Sequence, residues 1–397
     1  MVLTSLIRQL IWCANCGLCL CMCLLLPLSL PGQTETKDWT VIDRKARRTP
    51  RHMAQSIPQL VGHLTEGLTG EQEKLRSLYS WIVSHIQFDV KAYKKGNKRL
   101  NHGIDDIMRR RKAVCFGYSQ LMKRFCEEAG IRCEIVSGYV EPTDFQAPNH
   151  AWNAVLVDGQ WALLDVTWES NSHHQGYHMD EQKQTHKGYF LPPARYFLKE
   201  HLPANPLWQL LEHPIEWKEF RTYQPNIPLD SSRYYHLQDS LKHHFRQPPL
   251  RRKMLNAESE YRYNPSAANK RELAATYMDV ETILSRQLED HPPQSSDSVL
   301  QMQRQLVQLC RKAGRLDDLF DNQREGCLLN SLNLAIAIEN RINQEEGSPT
   351  AAAIDSLRSE QKRELEWALE ALSSLPDNPI RQAIRQNCQQ LLESIGQ

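Results

Sequence analysis

The sequence predicts an α+β fold, in which one helix packs on a small antiparallel sheet, followed by an all-α region. Residues 112–130, KAVCFGYSQLMKRFCEEAG, have one apolar helical face and end in the glycine typical of a helix C-cap. Residues 150–168, HAWNAVLVDGQWALLDVTW, place two apolar runs around Asp158-Gly159, which is a strong hairpin signal. After about residue 232, glycine is scarce and amphipathic helical patterns continue to the C-terminus.

Further elements are predicted on both sides of this core. Residues 70–88, GEQEKLRSLYSWIVSHIQF, have helical spacing and acidic residues in the first turn. IDDIMRRRK predicts a second, shorter helix, and CEIVSGYV predicts a strand. The aromatic and proline-rich residues 189–220 predict a strand, a turn and short packed helices that close the domain.

Length and composition indicate a globular protein with more than one domain. The chain has 397 residues, of which 41% are hydrophobic and 24% are charged. Its net charge of +1 predicts neither nucleic-acid binding nor a preference for acidic membranes. The predicted divisions are a targeting segment, a linker, the α+β domain and an α-helical C-terminal domain, at residues 1–32, 33–54, 55–228 and 229–397.

The first 32 residues differ from the rest of the chain. No charge occurs between Arg8 and Glu35, and Leu10 to Leu30 are nearly all apolar, which predicts a cleaved signal peptide or a retained membrane anchor. The protein is therefore expected to be secreted, periplasmic or associated with the cell envelope, with membrane association through this segment. Five of the 11 cysteines lie here, and the spacing of the other six predicts no disulfide framework.

Cys115 lies where the predicted helix begins. Unpaired backbone N–H groups and the helix dipole favour a thiolate there, and the same groups could hold a developing oxyanion. A lone cysteine on a helix is usually structural, and Cys126, on the apolar face, is expected to be a packing residue. Cys115 becomes a candidate nucleophile only if other residues supply a base.

The hairpin supplies that base. A two-residue turn pairs Val157 with Gln160, so that Trp152 lies opposite Asp165. His150 is two residues farther along the same face, within side-chain reach of Asp165. A carboxylate in this position can orient an imidazole and support its protonated form. The sequence therefore predicts a catalytic triad of Cys115, His150 and Asp165.

These residues stand in motifs that resemble a known family. AVCFGYSQL, NHAWNAV and WALLDVTW resemble the transglutaminase-like superfamily, which has a papain-like fold. LYSWIVSHIQFD and YFLPPARYFLKEHLPANPLWQLL resemble its kyphoscoliosis-peptidase branch and bacterial relatives of that branch. The resemblance covers residues 55–220 and implies acyl transfer through a thioester, with water or an amine as acceptor. No cofactor is expected.

Other polar and aromatic residues are weaker candidates for the cleft. Asn149 could orient a cleft group, and Trp152 and Trp168 could exclude water from the thiolate–imidazolium pair or simply pack in the core. The loop ESNSHHQGYH, residues 169–178, contains three histidines, His173, His174 and His178. No metalloprotease pattern accompanies them, so no metal site is predicted.

Two functions of different classes remain open. The first is a cysteine peptidase, deamidase or transglutaminase-like acyltransferase that acts on protein or peptide amides. The second is a non-catalytic scaffold with a vestigial triad, whose C-terminal helices bind a protein partner. No nucleic-acid partner is expected in either case.

Overall fold

A computed structural model of the protein describes residues 37–94, 103–174, 188–316, 319–344 and 349–395. The chain divides into two compact units, Met1–Val41 and Ile42–Gln397. The second unit contains the sheet and the candidate site. The predicted signal peptide or anchor at residues 1–32 lies outside the described residues. None of the described helices combines the length and apolar character needed to cross a bilayer.

The N-terminal half of the second unit contains short helices and all the described strands. The helices, numbered from the one that begins in the first unit, are α1 Thr40–Arg47, α2 Ile57–Thr65, α3 Glu71–His85, α4 Val90–Lys94, α5 Ile104–Arg110, α6 Cys115–Glu128, α7 Val166–His174 and α8 Ala194–Phe197. The strands are β1 Gln87–Phe88, β2 Lys112–Ala113, β3 Arg132–Tyr139, β4 His150–Val157, β5 Gln160–Leu164 and β6 Leu202–Pro203. Short 3-10 turns occur at Arg51–Ala54, Pro206–Gln209 and Trp217–Thr222.

The C-terminal part is helical throughout its described residues. Its helices are α9 Leu237–Arg246, α10 Pro249–Tyr263, α11 Ala267–Asp290, α12 Ser296–Leu316, α13 Asp321–Ile342, α14 Ala351–Ser373 and α15 Pro379–Ile395. Consecutive helices from α10 to α15 pack on one another. The predicted fold class, an α+β core followed by a helical region, is confirmed.

A four-stranded antiparallel sheet forms the centre of the α+β core, with the strand order β5-β4-β3-β6. Val157 pairs with Gln160 across a two-residue turn, as the sequence predicts. Asp158 and Gly159 both have positive φ, 50° and 77°, the conformation of a hairpin turn whose twist matches that of the strands. The hairpin register on which the predicted site depends is therefore confirmed.

Strand β4 is buried along almost its whole length. Since successive side chains point to opposite sides of a sheet, both of its faces are covered. Val155 and Val157 join the core formed with helices α3 and α6. On the other face, Trp152 packs in a cluster that includes Phe197 and Leu241. Since Leu241 belongs to α9, the helical region helps to cover the sheet.

Helix α6 packs through the apolar face that the sequence predicts. Tyr118, Leu121 and Phe125 are fully buried. Gly130 has φ +73° directly after the helix, and the Ile131 N–H donates to the Cys126 carbonyl. These contacts fix the helix, and with it the position of Cys115 at its first residue.

Two asparagines connect the helical region to strand β3. The Asn264 amide donates to Tyr139 Oη at 2.9 Å and to the Phe145 carbonyl at 2.7 Å. The Asn269 amide donates to the same hydroxyl at 3.0 Å. The boundary between residues 228 and 229 stays a prediction, and these buried bonds join the residues on its two sides.

The stretch 33–54, expected to be a linker, contains helix α1. Arg76 forms two hydrogen bonds of 2.8 Å with the Asp43 carboxylate, and Ala46 is fully buried. The polar composition of the stretch gives no sign of these contacts, because the partner Arg76 lies on α3, 33 residues later in the chain.

Two further expectations need correction. The second apolar run of the hairpin ends as a strand at Leu164, and helix α7 begins at Val166. Cys310 and Cys327 form a disulfide between α12 and α13, although their spacing predicts no framework. The helix pairing brings the two Cα atoms to 5.6 Å, a separation set by tertiary packing.

A glycine substitution tests the close packing beside the sheet. A Cβ on Gly138 would lie 2.3 Å from both the Leu202 carbonyl oxygen and Trp152 Cη2. We expect Gly138→Ala to lower the free energy of unfolding by at least about 2 kcal/mol, measured by urea denaturation with tryptophan fluorescence.

The matched control is Gly62→Ala, because a Cβ there meets nothing within 4 Å and the residue is helical. This control should raise the free energy of unfolding by roughly 0.5–1 kcal/mol. Equal effects of the two substitutions would contradict the packing described for Gly138.

Candidate active site

Cys115 is the first residue of α6 and is 9% exposed. The N–H groups of a first helical turn have no carbonyl partner within the helix, so they are available to an anion. The Asn153 amide, on β4, donates to the Ser119 carbonyl at 3.0 Å. The Ser119 hydroxyl donates to the Cys115 carbonyl at 3.1 Å, so this turn is fixed to the sheet. Asn153 was not predicted as a site residue.

His150 connects the thiol to a carboxylate. Its Nε2 lies 2.7 Å from Asp165 Oδ2, and both side chains are buried. Besides Asp165, the nearby Cys115 side chain helps to raise the pKa of the imidazole. Because Nε2 bonds Asp165, the other ring nitrogen, Nδ1, serves the thiol. The structure thus brings the three predicted triad residues together in one line of contacts.

Asp165 is fully buried, and both of its carboxylate oxygens accept hydrogen bonds. Oδ1 accepts from the backbone N–H groups of Thr167 at 2.8 Å and Trp168 at 3.2 Å. Asp165 is therefore the N-cap of α7, which explains why the chain leaves the sheet here. Oδ2 accepts from His150 and from a second histidine, His201.

His201 was not predicted from the sequence. Its Nε2 lies 3.0 Å from Asp165 Oδ2, and its side chain is fully buried. It precedes β6, where Pro203 pairs with Gly138, and Gly138 in turn pairs with His150. No local spacing relates residue 201 to residue 165, so only the sheet topology reveals the contact.

The burial and charges of these groups set their protonation. Burial alone raises the pKa of Asp165, but bonds and attraction from His150 and His201 hold that pKa far below its ordinary value. Burial lowers the pKa of His150, but the adjacent Asp165 carboxylate outweighs this and raises it. For His201 burial prevails, and its pKa is lowered. Near neutral pH the arrangement favours ionised Asp165, protonated His150 and neutral His201.

The same three side chains are the group that could hold a metal ion among the described residues. Their candidate ligand atoms lie within 4.8 Å of one another. Asp165 Oδ2 itself bridges the two Nε2 atoms at hydrogen-bond distances, so both nitrogens are already engaged. The side chains of His173, His174 and His178 lie outside the described residues.

The predicted cleft residues have different environments. The Asn149 side chain bonds the Val140 N–H and carbonyl and the Pro142 carbonyl, so it holds the backbone before His150. Trp152 is fully buried. Trp168 is partly exposed, with its ring centroid 5.7 Å from that of His150. A direct role of these three residues in substrate binding stays a prediction.

Residues 58–166 match the model of the transglutaminase-like superfamily. This segment contains α6, the hairpin and the three residues of the predicted triad. The chain contains a transglutaminase-like domain. The predicted resemblance is thereby confirmed.

Curated relatives and solved structures resemble part of this chain. The mouse kyphoscoliosis peptidase is 33% identical over 174 residues, which cover 41% of this chain and 26% of that protein. Hillarin from Drosophila melanogaster is 26% identical over 227 residues, which cover 51% of this chain and 26% of that protein. A solved structure of a TGase is 18% identical with a TM-score of 0.26, covering 38% of this chain and 39% of that one. The chain thus spans about a quarter of the length of these two curated relatives.

The His150–Asp165 pair should stabilise the fold in a defined pH window. The lowered pKa of Asp165 makes its contribution present above about pH 3.9 and lost as pH falls through the folded value. The raised pKa of His150, about 10, makes its contribution complete below the ordinary histidine value and lost as pH rises through the folded one.

We expect the stability difference between Cys115→Ala and Cys115→Ala/His150→Gln to be largest near about pH 5 to 6. By about pH 9 it should shrink by about 2 kcal/mol or more, measured by urea denaturation. His244→Gln is the control. Burial lowers the pKa of His244, so its contribution to the free energy of unfolding should grow as pH rises. A difference for His150 that is flat or grows with pH would contradict the charged pair.

Proposed function

We propose that the protein is a cysteine-dependent enzyme that transfers acyl groups from protein or peptide amides through a thioester on Cys115. The observation that carries this proposal is the continuous line of contacts from Cys115 through His150 to Asp165, at the start of a buried helix. A thiol, a base and a residue that orients the base are the parts that nucleophilic catalysis requires.

In the first half of the reaction, the Cys115 thiolate attacks the amide carbon and forms the C–S bond. The negative charge on the carbonyl oxygen develops next to the free N–H groups of the first turn of α6. The C–N bond then breaks, and protonated His150 gives its proton to the leaving amine. Asp165 keeps the imidazole oriented and supports its positive charge before that transfer.

In the second half, water or an amine attacks the thioester. Neutral His150 removes the proton of the attacking group, the C–S bond breaks, and the Cys115 thiolate and protonated His150 are restored. With water the result is hydrolysis, as in a peptidase or deamidase. With an amine the result is a new amide bond, as in a transglutaminase.

We also propose that the protein works outside the reducing cytosol, in the secreted, periplasmic or envelope location that the apolar N-terminus predicts. The Cys310–Cys327 disulfide supports this location, because disulfides persist in oxidising compartments and are rare in the cytosol.

Thiol labelling of the full chain tests the nucleophile. We expect iodoacetamide at neutral pH to modify Cys115 first, and Cys115→Ala to lower the labelling rate about 100-fold, as measured by intact mass. Cys126 is the matched control, because it lies on the same helix, is fully buried, and burial raises its pKa. Equal labelling of Cys115→Ala and Cys126→Ala would contradict the proposal.

Substrate assays on the same proteins distinguish the reaction types. Ammonia release from glutamine residues, incorporation of a primary amine into a glutamine-containing protein, and cleavage of casein identify a deamidase, a transglutaminase and a peptidase. An unreactive Cys115 in a folded protein, without turnover in any assay, would favour a scaffold whose helices bind a protein partner.

A further inference from the structure

His201 belongs to the site, although the proposed reaction does not use it. Its Nε2 lies 3.0 Å from Asp165 Oδ2, the oxygen that also bonds His150. We propose that His201 is a positioning residue, whose Nε2–H fixes the Asp165 carboxylate in the orientation that holds His150. This inference rests on the proposed function, because the orientation of His150 matters to a reaction at Cys115.

An aromatic cage surrounds the His201 ring. Phe197 stacks on it, with 4.1 Å between ring centroids and 22° between planes, and the Trp168 centroid lies 4.4 Å away. Trp152 meets it edge-on at 5.1 Å. The ring is fully buried, and Nδ1 has no hydrogen-bond partner among the described residues. Among the described residues, the ring of His201 therefore forms its hydrogen bond with Asp165.

The charges around the ring place its proton on Nε2. Asp165, His150 and Glu200 are the titratable groups that act on it, and the Tyr189 hydroxyl donates to Glu200 at 3.1 Å. Burial lowers the pKa of His201 more than the Asp165 carboxylate raises it, so the ring is neutral. A neutral imidazole has one N–H, and an ionised carboxylate can only accept. The proton therefore lies on the nitrogen that faces Asp165.

The second donor restrains the Asp165 oxygen that matters for catalysis. Backbone N–H groups hold Oδ1, but they leave Oδ2 free to move about that anchor. With His201 present, Oδ2 is held between two imidazoles, and the His150 ring has a fixed partner. Without His201, Oδ2 loses a donor and the orientation of His150 is less restrained.

A purely structural role would require a different kind of side chain at position 201. The cage would then need an aromatic ring of similar size, and His201→Phe would satisfy it. A positioning role needs an N–H near the place of Nε2, and His201→Gln would satisfy that. The two roles therefore predict opposite rankings of the same two variants.

The test measures the rate at which iodoacetamide alkylates Cys115 in the full chain at neutral pH. We expect His201→Phe to be slower than the unsubstituted protein by roughly tenfold, and His201→Gln to remain within about threefold of it. His244→Phe is the matched control, because His244 is buried among aromatic rings, Trp208 and Phe245, and the charges that act on it are those of Arg252, Glu134 and His243 rather than the triad. It should leave the rate unchanged.

Alkylation of His201→Phe at the unsubstituted rate, or faster than His201→Gln, would overturn the proposal in favour of packing. Nitrogen-15 NMR of the histidine rings in the unsubstituted protein gives a second test, which needs no variant to fold and no reactive thiol. The expected result is a neutral His201 protonated on Nε2, and protonation on Nδ1 would overturn the proposal. An unreactive Cys115 in the unsubstituted protein would contradict the proposed function instead, and the NMR result would still decide the role of His201.

Discussion

The buried carboxylate of Asp165 is the contact on which the site and its surroundings depend. Oδ1 caps α7, and Oδ2 bonds both His150 and His201. An ionised carboxylate without partners would be very unfavourable in a fully buried position, and this one is stable because four donors satisfy it. The end of β5, the start of α7 and the orientation of the imidazole therefore share one cause. A change in any of the four donors affects local structure and chemistry together.

The sheet connects this carboxylate to the rest of the protein. Gly138 on β3 pairs with His150 on one side and with Pro203 on the other, so β3 lies between the strand that carries His150 and the segment that carries His201. Because β4 is buried on both faces, the site needs a covering layer on each side of the sheet. The helical region supplies part of one layer through Leu241, and it holds the end of β3 through bonds to Tyr139. The helical region is thus part of the support of the site.

Two of the expectations that needed correction concern contacts between distant segments. Polar residues before residue 54 suggested a linker, but Asp43 pairs with Arg76 on a helix that follows much later in the chain. The spacing of Cys310 and Cys327 indicated no disulfide, because it is helix pairing that brings them together. The third correction, the start of α7 at Val166, depends on residues next to each other in the chain. Asp165 is a favourable N-cap residue, but the apolar run around it favoured a longer strand.

The sequence by itself determined the elements and the register that make the site possible. The period of α6 and the Asp-Gly turn are local signals, and they were enough to place Cys115 at a helix start and His150 beside Asp165. Only the tertiary structure decided that Cys115 meets this pair and that His201 completes it. It also decided which imidazole is charged, because that depends on burial and on neighbours from other elements. Local periodicity fixes the direction of side chains, whereas desolvation and long-range contacts exist only once the elements are packed.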